Sequence, residues 1–406
     1  MRGVIVGLSL GVLGLNGAAL AAQASGAAAA PAPALTSVAP VIIGERMRFR
    51  SALQGEEYPV MVHLPDSYGR TTHAYPVLYV LDGEAHFHHA TGVAAFLAQQ
   101  QRIPEMIVVG IGNTNRTRDL TPPTDDAGMR ANGAGGADRF LRAIGEELIP
   151  EIERRYRTLH YRVLAGHSFG GLFALHALTT RPEIFQSYVV ISPSTWWNRQ
   201  SLVNGVPAFL AAHRDLRASL YITTGDEGGE MLASAQRLAG ILERNAPETV
   251  EWTFRHMPAE SHGSIPHRTL YDGLETIFAD LRIELDTTSR SVADLERRYE
   301  RLSAKYGYDI PVTEPVINRL GYGLLGRGLH ADAIAVFTEN TRRFPKSANT
   351  YDSLGDAYEA AGELEPARRA FARAVELARE NNDPVLQVSA QKLTSVSSKL
   401  GTSTQN

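Results

Sequence analysis

Through the first 285 residues, short apolar runs alternate with longer stretches whose apolar positions recur at helical spacing. The runs at 77–81, 107–111, 162–165, 188–191, 220–223 and 250–254 are mostly apolar or β-branched, which predicts strands buried on both faces. Ahead of them, Met47 and Phe49 alternate with charged residues, and Val60, Val62 and Leu64 alternate after Gln54 and Gly55. That pattern predicts a β-hairpin across residues 41–64. Helical periodicity fills most of the gaps; at 138–156, for example, Phe140, Leu141, Ile144, Leu148 and Ile152 share one face. Strands alternating with helices predict an α/β fold with a doubly wound, mostly parallel sheet over residues 41–285.

The pattern then changes to helix alone, and it repeats. Leu320, Gly321, Gly328, Ala333 and Phe337 recur as Leu354, Gly355, Gly362, Ala367 and Phe371, each pair 34 positions apart. A 34-residue period with small and aromatic residues at these places is the tetratricopeptide signature. Residues 290–400 are therefore expected to form a small all-α region with two clear repeats, at about 312–345 and 346–379. Two repeats are fewer than such arrays usually need, so support is expected from helices at 291–305 and 383–400 or from the sheet domain. The repeats offer a surface for a protein partner or for self-association.

Composition narrows the function. The chain of 406 residues carries a net charge of −4 with no basic block, which argues against nucleic acid as a partner. Cysteine is absent, so thiol catalysis, disulfides and cysteine-ligated metals are excluded. Arg2, an apolar core at 4–15 and small residues at 19–24 read as a secretory signal peptide over 1–24, followed by an Ala/Pro-rich linker at 25–40. The apolar core is short for a membrane span, and the reading is export, most simply to a bacterial periplasm.

The chemistry centres on Gly166-His167-Ser168-Phe169-Gly170-Gly171, a G-x-S-x-G pentapeptide between a strand-like and a helix-like segment. This is the context of a nucleophile elbow, in which glycines permit a sharp turn and a helix N-terminus favours negative charge. A serine nucleophile needs a base, an acid to orient it and donors for an oxyanion, with the partners following in the order serine, acid, histidine. His262 is the favoured base, ahead of His213, His256 and His267. The acid is sought after the strand at 220–223, where Glu227 is preferred over Asp226 and Glu230, and a Ser-His dyad stays open. For the oxyanion, the N–H of Phe169 is one expected donor, and that of Gly83 or Glu84 the other. Arg116 or Arg118, in the long loop at 114–137, and Trp197, just beyond the strand at 188–191, are candidates for substrate binding, with a salt bridge and core packing as their alternatives. His86, His88 and His89 are too close in sequence to converge on one ion, so neither a metal nor a cofactor is expected.

Leu81-Asp82-Gly83, the elbow, Ser192-Pro193-Ser194-Thr195-Trp196-Trp197 and Glu260-Ser261-His262-Gly263-Ser264 together resemble the esterase D-like family of α/β-hydrolases over about 45–285. The resemblance is nearest to siderophore (enterobactin-type) esterases and more distant to feruloyl esterases, S-formylglutathione hydrolases and mycolyltransferases. It implies hydrolysis of a small-molecule carboxylic ester, with Ser168 and His262 at the family's nucleophile and base positions. The family's acid position varies, so the resemblance does not choose between Glu227 and Asp226. Acyl transfer by the same serine and a non-catalytic repeat scaffold are the competing readings.

Overall fold

The computed structural model describes residues 39–282 and 288–403. The expected leader and nearly all of the linker lie outside the described residues. Strands β1 (Glu45–Ser51) and β2 (Glu56–His63) form an antiparallel hairpin at 45–63. Next come β3 (Tyr75–Leu81), β4 (Ile107–Ile111), β5 (Thr158–His167), β6 (Ser187–Ile191), β7 (Ala218–Gly225) and β8 (Val250–Met257). They form one sheet in the order β1-β2-β4-β3-β5-β6-β7-β8, parallel from β4 to β8 and antiparallel only where β2 joins its neighbours.

Side chains on successive strand residues point to opposite faces, and each face has its own helix layer. Tyr79 and Leu81 of β3 join a core with Phe140, Leu141, Ile152 and Phe173, carried by α4 (Ala137–Ala143), α5 (Ile149–Arg155) and α6 (Phe169–Thr180). Leu78 and Val80 face the other way, toward Ala90, Val93 and Leu97 of α1 (Gly83–Gln99) and Leu274 and Ile277 of α9 (Ile265–Ile277). Two short helices, α2 (Arg116–Leu120) and α3 (Ala127–Ala131), lie within the long loop, while α7 (Trp197–Ala212) and α8 (Gly229–Asn245) follow β6 and β7. The helix expected at 138–156 is instead α4 and α5 joined by a π-helical turn at Ile144–Leu148. Pro150, in the first turn of α5, has no N–H to continue the regular ladder, so the wider turn sits where that bond is missing.

Beyond the sheet come α10 (Val292–Tyr306), α11 (Glu314–Gly326), α12 (His330–Arg343), α13 (Ala348–Ala360), α14 (Leu364–Asn381) and α15 (Leu386–Ser403). Helices α11 and α12 form one hairpin and α13 and α14 a second, offset by the 34-residue period. A Cβ on Gly321 would lie 2.4 Å from the Phe337 ring, and one on Gly355 would lie 2.5 Å from Phe371. Glycine therefore admits the aromatic ring of the partner helix in both hairpins. No boundary separates sheet from helices in the packing: from Ile43 onward the chain is one compact unit. Tyr161 of β5 meets Phe278 and Tyr306 with ring centroids 5.7 and 5.5 Å apart, and the same apolar cluster continues through Tyr299, Leu320 and Phe337 to Leu354.

Candidate active site

The C-terminal edge of the parallel strands gathers the chemistry. At the end of β5, Ser168 has φ 62° and ψ −116°, a conformation costly for a residue with a Cβ. A Cβ on Gly166 would meet the Gly170 carbonyl oxygen at 2.2 Å, so the turn can close only over glycine. The Ser168 N–H donates to the Ile191 carbonyl at 3.0 Å, which ties the turn to β6. Its hydroxyl lies 3.5 Å from that of buried Ser194.

Strand β3 makes a matching turn one strand away. Asp82 has φ 53° and precedes Gly83, the first residue of α1, as Ser168 precedes Phe169, the first residue of α6. The N–H groups of first-turn residues have no acceptor within their own helix, so Gly83 and Phe169 each bring a free donor to the same sheet edge. A Cβ on Gly83 would collide with the backbone of Gly110 at 2.8 Å, which is why the turn can sit so close to β4.

The loops that carry the expected acid and base meet at the ends of β7 and β8. The strands finish level, with Gly225 paired to Met257. The Asp226 N–H donates to the Glu260 carbonyl at 2.7 Å, and a Cβ on Gly225 would come within 2.5 Å of that oxygen. Glu227 then turns inward ahead of Gly228 and Gly229, whose φ values are 61° and 51°. Its carboxylate is 6% exposed and its Oε1 lies 2.8 Å from Nδ1 of His262. Asp226 and Glu230, the other two candidates for the acid, are exposed.

His262 is 39% exposed and lies against His167, the residue before Ser168, with ring centroids 4.4 Å apart. Among the described residues, the Ser168 hydroxyl forms no hydrogen bond to His262; bonds of this kind often close only around bound substrate. Burial, reinforced by His262 and His86, pushes the His167 imidazole down to about 3.

Arg116 joins the two turns. Its Nε and Nη2 bind the Asp82 carboxylate at 2.7 and 3.0 Å, Nη2 also donates to the His167 carbonyl at 3.2 Å, and the guanidinium lies 5.5 Å from the Phe169 ring centroid. The pair braces the turn at Ser168 against the β3 loop, while the Arg116 side chain stays 37% exposed. Arg118 is committed elsewhere, to Glu56 and Asp119. Trp197 is 1% exposed and donates its indole N–H to the Pro122 carbonyl at 3.2 Å, so it packs under the long loop; Trp196 is half-buried.

Asp82, Asn113, His167 and Ser194 were not among the site residues expected from sequence. Asn113 donates to Asp82 at 2.7 Å. Asp82 carried a visible signal, an acidic residue before Gly83, but its partners come from a distant loop. His86 bonds to His89, Nδ1 to Nε2 at 3.0 Å, while His88 is exposed. Among the described residues, no group of three or more His, Cys, Asp or Glu is arranged to hold a metal ion. A cavity of about 440 Å³ lies at the opposite edge of the sheet, near Tyr75, Leu159, Tyr308 and Val316, and contains none of these groups.

Residues 51–265, over half the chain, match the profile of the family described as Putative esterase. The chain belongs to this esterase family. Among the family's relatives, the siderophore triacetylfusarinine C esterase of Aspergillus fumigatus is 38% identical over 37% of this chain and 56% of its own length. The ferri-bacillibactin esterase BesA of Bacillus subtilis is 35% identical over 43% of this chain and 67% of its own. The match thus takes in little more than half of the fungal relative. Among solved structures, an IroE-like serine hydrolase from Shewanella oneidensis is 28% identical, with TM-score 0.64, over 74% of this chain and 99% of its own. An uncharacterised protein from Capnocytophaga ochracea shares the fold over 87% of this chain and 99% of its own, at 18% identity and TM-score 0.60. Among the described residues, no helix is long and apolar enough to cross a membrane.

Proposed function

We propose that this chain is a serine esterase that opens carboxylic esters of the siderophore type. The observation that carries the reading is the meeting of four loops at one sheet edge: those of strained Ser168, of Glu227, of its partner His262, and the Gly83 turn. In the proposed reaction His262 takes the Ser168 proton as the oxygen attacks the ester carbonyl. Glu227 holds Nδ1–H of His262 and balances the imidazolium that forms. N–H groups of Phe169 and Gly83 receive the oxyanion. The protonated histidine then passes its proton to the leaving alkoxide, and water, activated by the same base, releases the acid from the acyl-enzyme and restores Ser168.

The substrate class rests on the names of the relatives, several of which are siderophore esterases. Arg116, with its partly exposed side chain, is the proposed contact for an anionic or catecholate group. We read the leader as an export signal and the two hairpins as tetratricopeptide repeats, on the strength of their period and the repeated Gly–Phe contact. The test compares wild type and Ser168→Ala on a p-nitrophenyl ester and on a catecholate trilactone. Turnover of both by wild type, with a loss of roughly 10⁴-fold or more in the variant, is expected. Undiminished turnover by Ser168→Ala overturns the assignment.

A further inference from the structure

Four other imidazoles continue from His262 into the fold. His167 lies 4.4 Å from it, His86 5.7 Å beyond, then His89 at 5.2 Å and exposed His267 at 5.4 Å, measured between ring centroids. They come from β5, α1 and α9, so the row exists only in the folded chain. His167 is the member in contact with the proposed base, and packing alone does not account for it. Among the described residues its buried Nε2 has no hydrogen-bond partner, a desolvation cost that an apolar side chain in the same space would avoid. Asp82, Arg116 and His86 are the other ionisable groups facing it.

A neutral imidazole beside His262 has a use only when His262 becomes charged. Until His262 takes up the Ser168 proton, the contact of the two rings is ordinary packing. As His262 accepts the Ser168 proton, a cation forms within about 6 Å of an electron-rich ring, the distance at which cation–π attraction acts. Burial holds His167 down at about 3, so it stays neutral while its neighbour charges and does not repel it.

We propose that His167 is a positioning residue of the ester-cleaving reaction, a neutral aromatic partner that steadies the imidazolium of His262 in the transition state. The proposal rests on the reading of Ser168 and His262 as nucleophile and base. Because the attraction appears only with the charge, it acts on kcat and leaves KM nearly unchanged.

The test uses full-length protein and three variants: His167→Leu, His167→Phe and Ser168→Ala. His167→Leu keeps the bulk without the π system and is expected to lower kcat about tenfold with KM within about twofold. His167→Phe restores an aromatic ring and is expected within about threefold of wild type. A fluorophosphonate probe supplies a second readout, since its attack by Ser168 needs the same base; His167→Leu is expected to slow labelling about tenfold. Circular dichroism and thermal melts establish folding, and His167→Met replaces the Leu variant if that one does not fold. Wild-type kcat in the aliphatic variant, or an equal loss in Leu and Phe, overturns the role of His167. In either case an inactive Ser168→Ala leaves the esterase reading intact, whereas an active one removes the reading on which the proposal stands.

Discussion

Gly225→Ala acts on the joint between the loops of the proposed acid and base without touching either group. A Cβ at this position would lie 2.5 Å from the Glu260 carbonyl oxygen, and ordinary contact begins at 3.4 Å. The loops must therefore separate by about 0.9 Å, which also breaks the 2.7 Å bond from the Asp226 N–H to that oxygen. Glu227 follows one residue after the donor and His262 two residues after the acceptor, so the shift passes directly to their 2.8 Å contact. A misplacement near 1 Å costs about 100-fold in rate, and overpacking costs about 1–3 kcal/mol in stability. The expected result, from steady-state kinetics on a p-nitrophenyl ester with a parallel melt, is kcat lower by about 100-fold, KM within about twofold and a reduced Tm. Gly263→Ala is the control: it lies in the same base loop, yet a Cβ there meets nothing within 4 Å. Wild-type kcat and Tm in Gly225→Ala would refute the claim that this close approach sets the alignment.

Two further outcomes follow from the same geometry. Glu227→Gln is expected to lower kcat at least about 100-fold, while Asp226→Asn and Glu230→Gln stay within about threefold; an equal loss in Asp226→Asn would move the acid by one residue. Stability should also depend on acid in a defined window. Burial holds His89 down to about 4 and His167 to about 3, against 6.5 for an ordinary histidine. Below 6.5 the unfolded chain binds protons that the folded chain refuses, so stability falls as pH drops from about 6.5 toward 3 and is unaffected by these groups above it. Melts between about pH 7.5 and about pH 4.5 should show a shallower loss in His89→Phe than in wild type, and identical slopes would contradict the account.

The inner strands β3, β4 and β6 are legible in the sequence because each is covered on both faces and so reads as a mostly apolar run. The elbow is legible because its chemistry is local: four of its six residues must be small or turn-forming for the chain to reverse there. Long-range matters are harder to read. Asp226 and Glu227 are adjacent and both acidic, and only the direction of the chain into Gly228 and Gly229 leaves Asp226 exposed and the Glu227 side chain turned inward. Trp197 sits at the expected strand end, but Asn198, Arg199 and Gln200 all take positive φ and redirect α7, leaving the indole under the long loop. His167 and His86 are 81 positions apart, and no periodicity links residues that meet only when β5 lies beside α1. Pro150 was visible, yet its effect, a widened turn within an otherwise helical stretch, depends on how the flanking apolar face is already held.

The apolar cluster that runs from Tyr161 through Phe278 and Tyr306 to the helical hairpins has a bearing on ancestry. A domain joined by a flexible tether can be gained, lost or exchanged by recombination at little cost to its neighbour. Here a break at the junction would leave aromatic rings of both parts facing water, so drift in the rings of either part must be answered by the other.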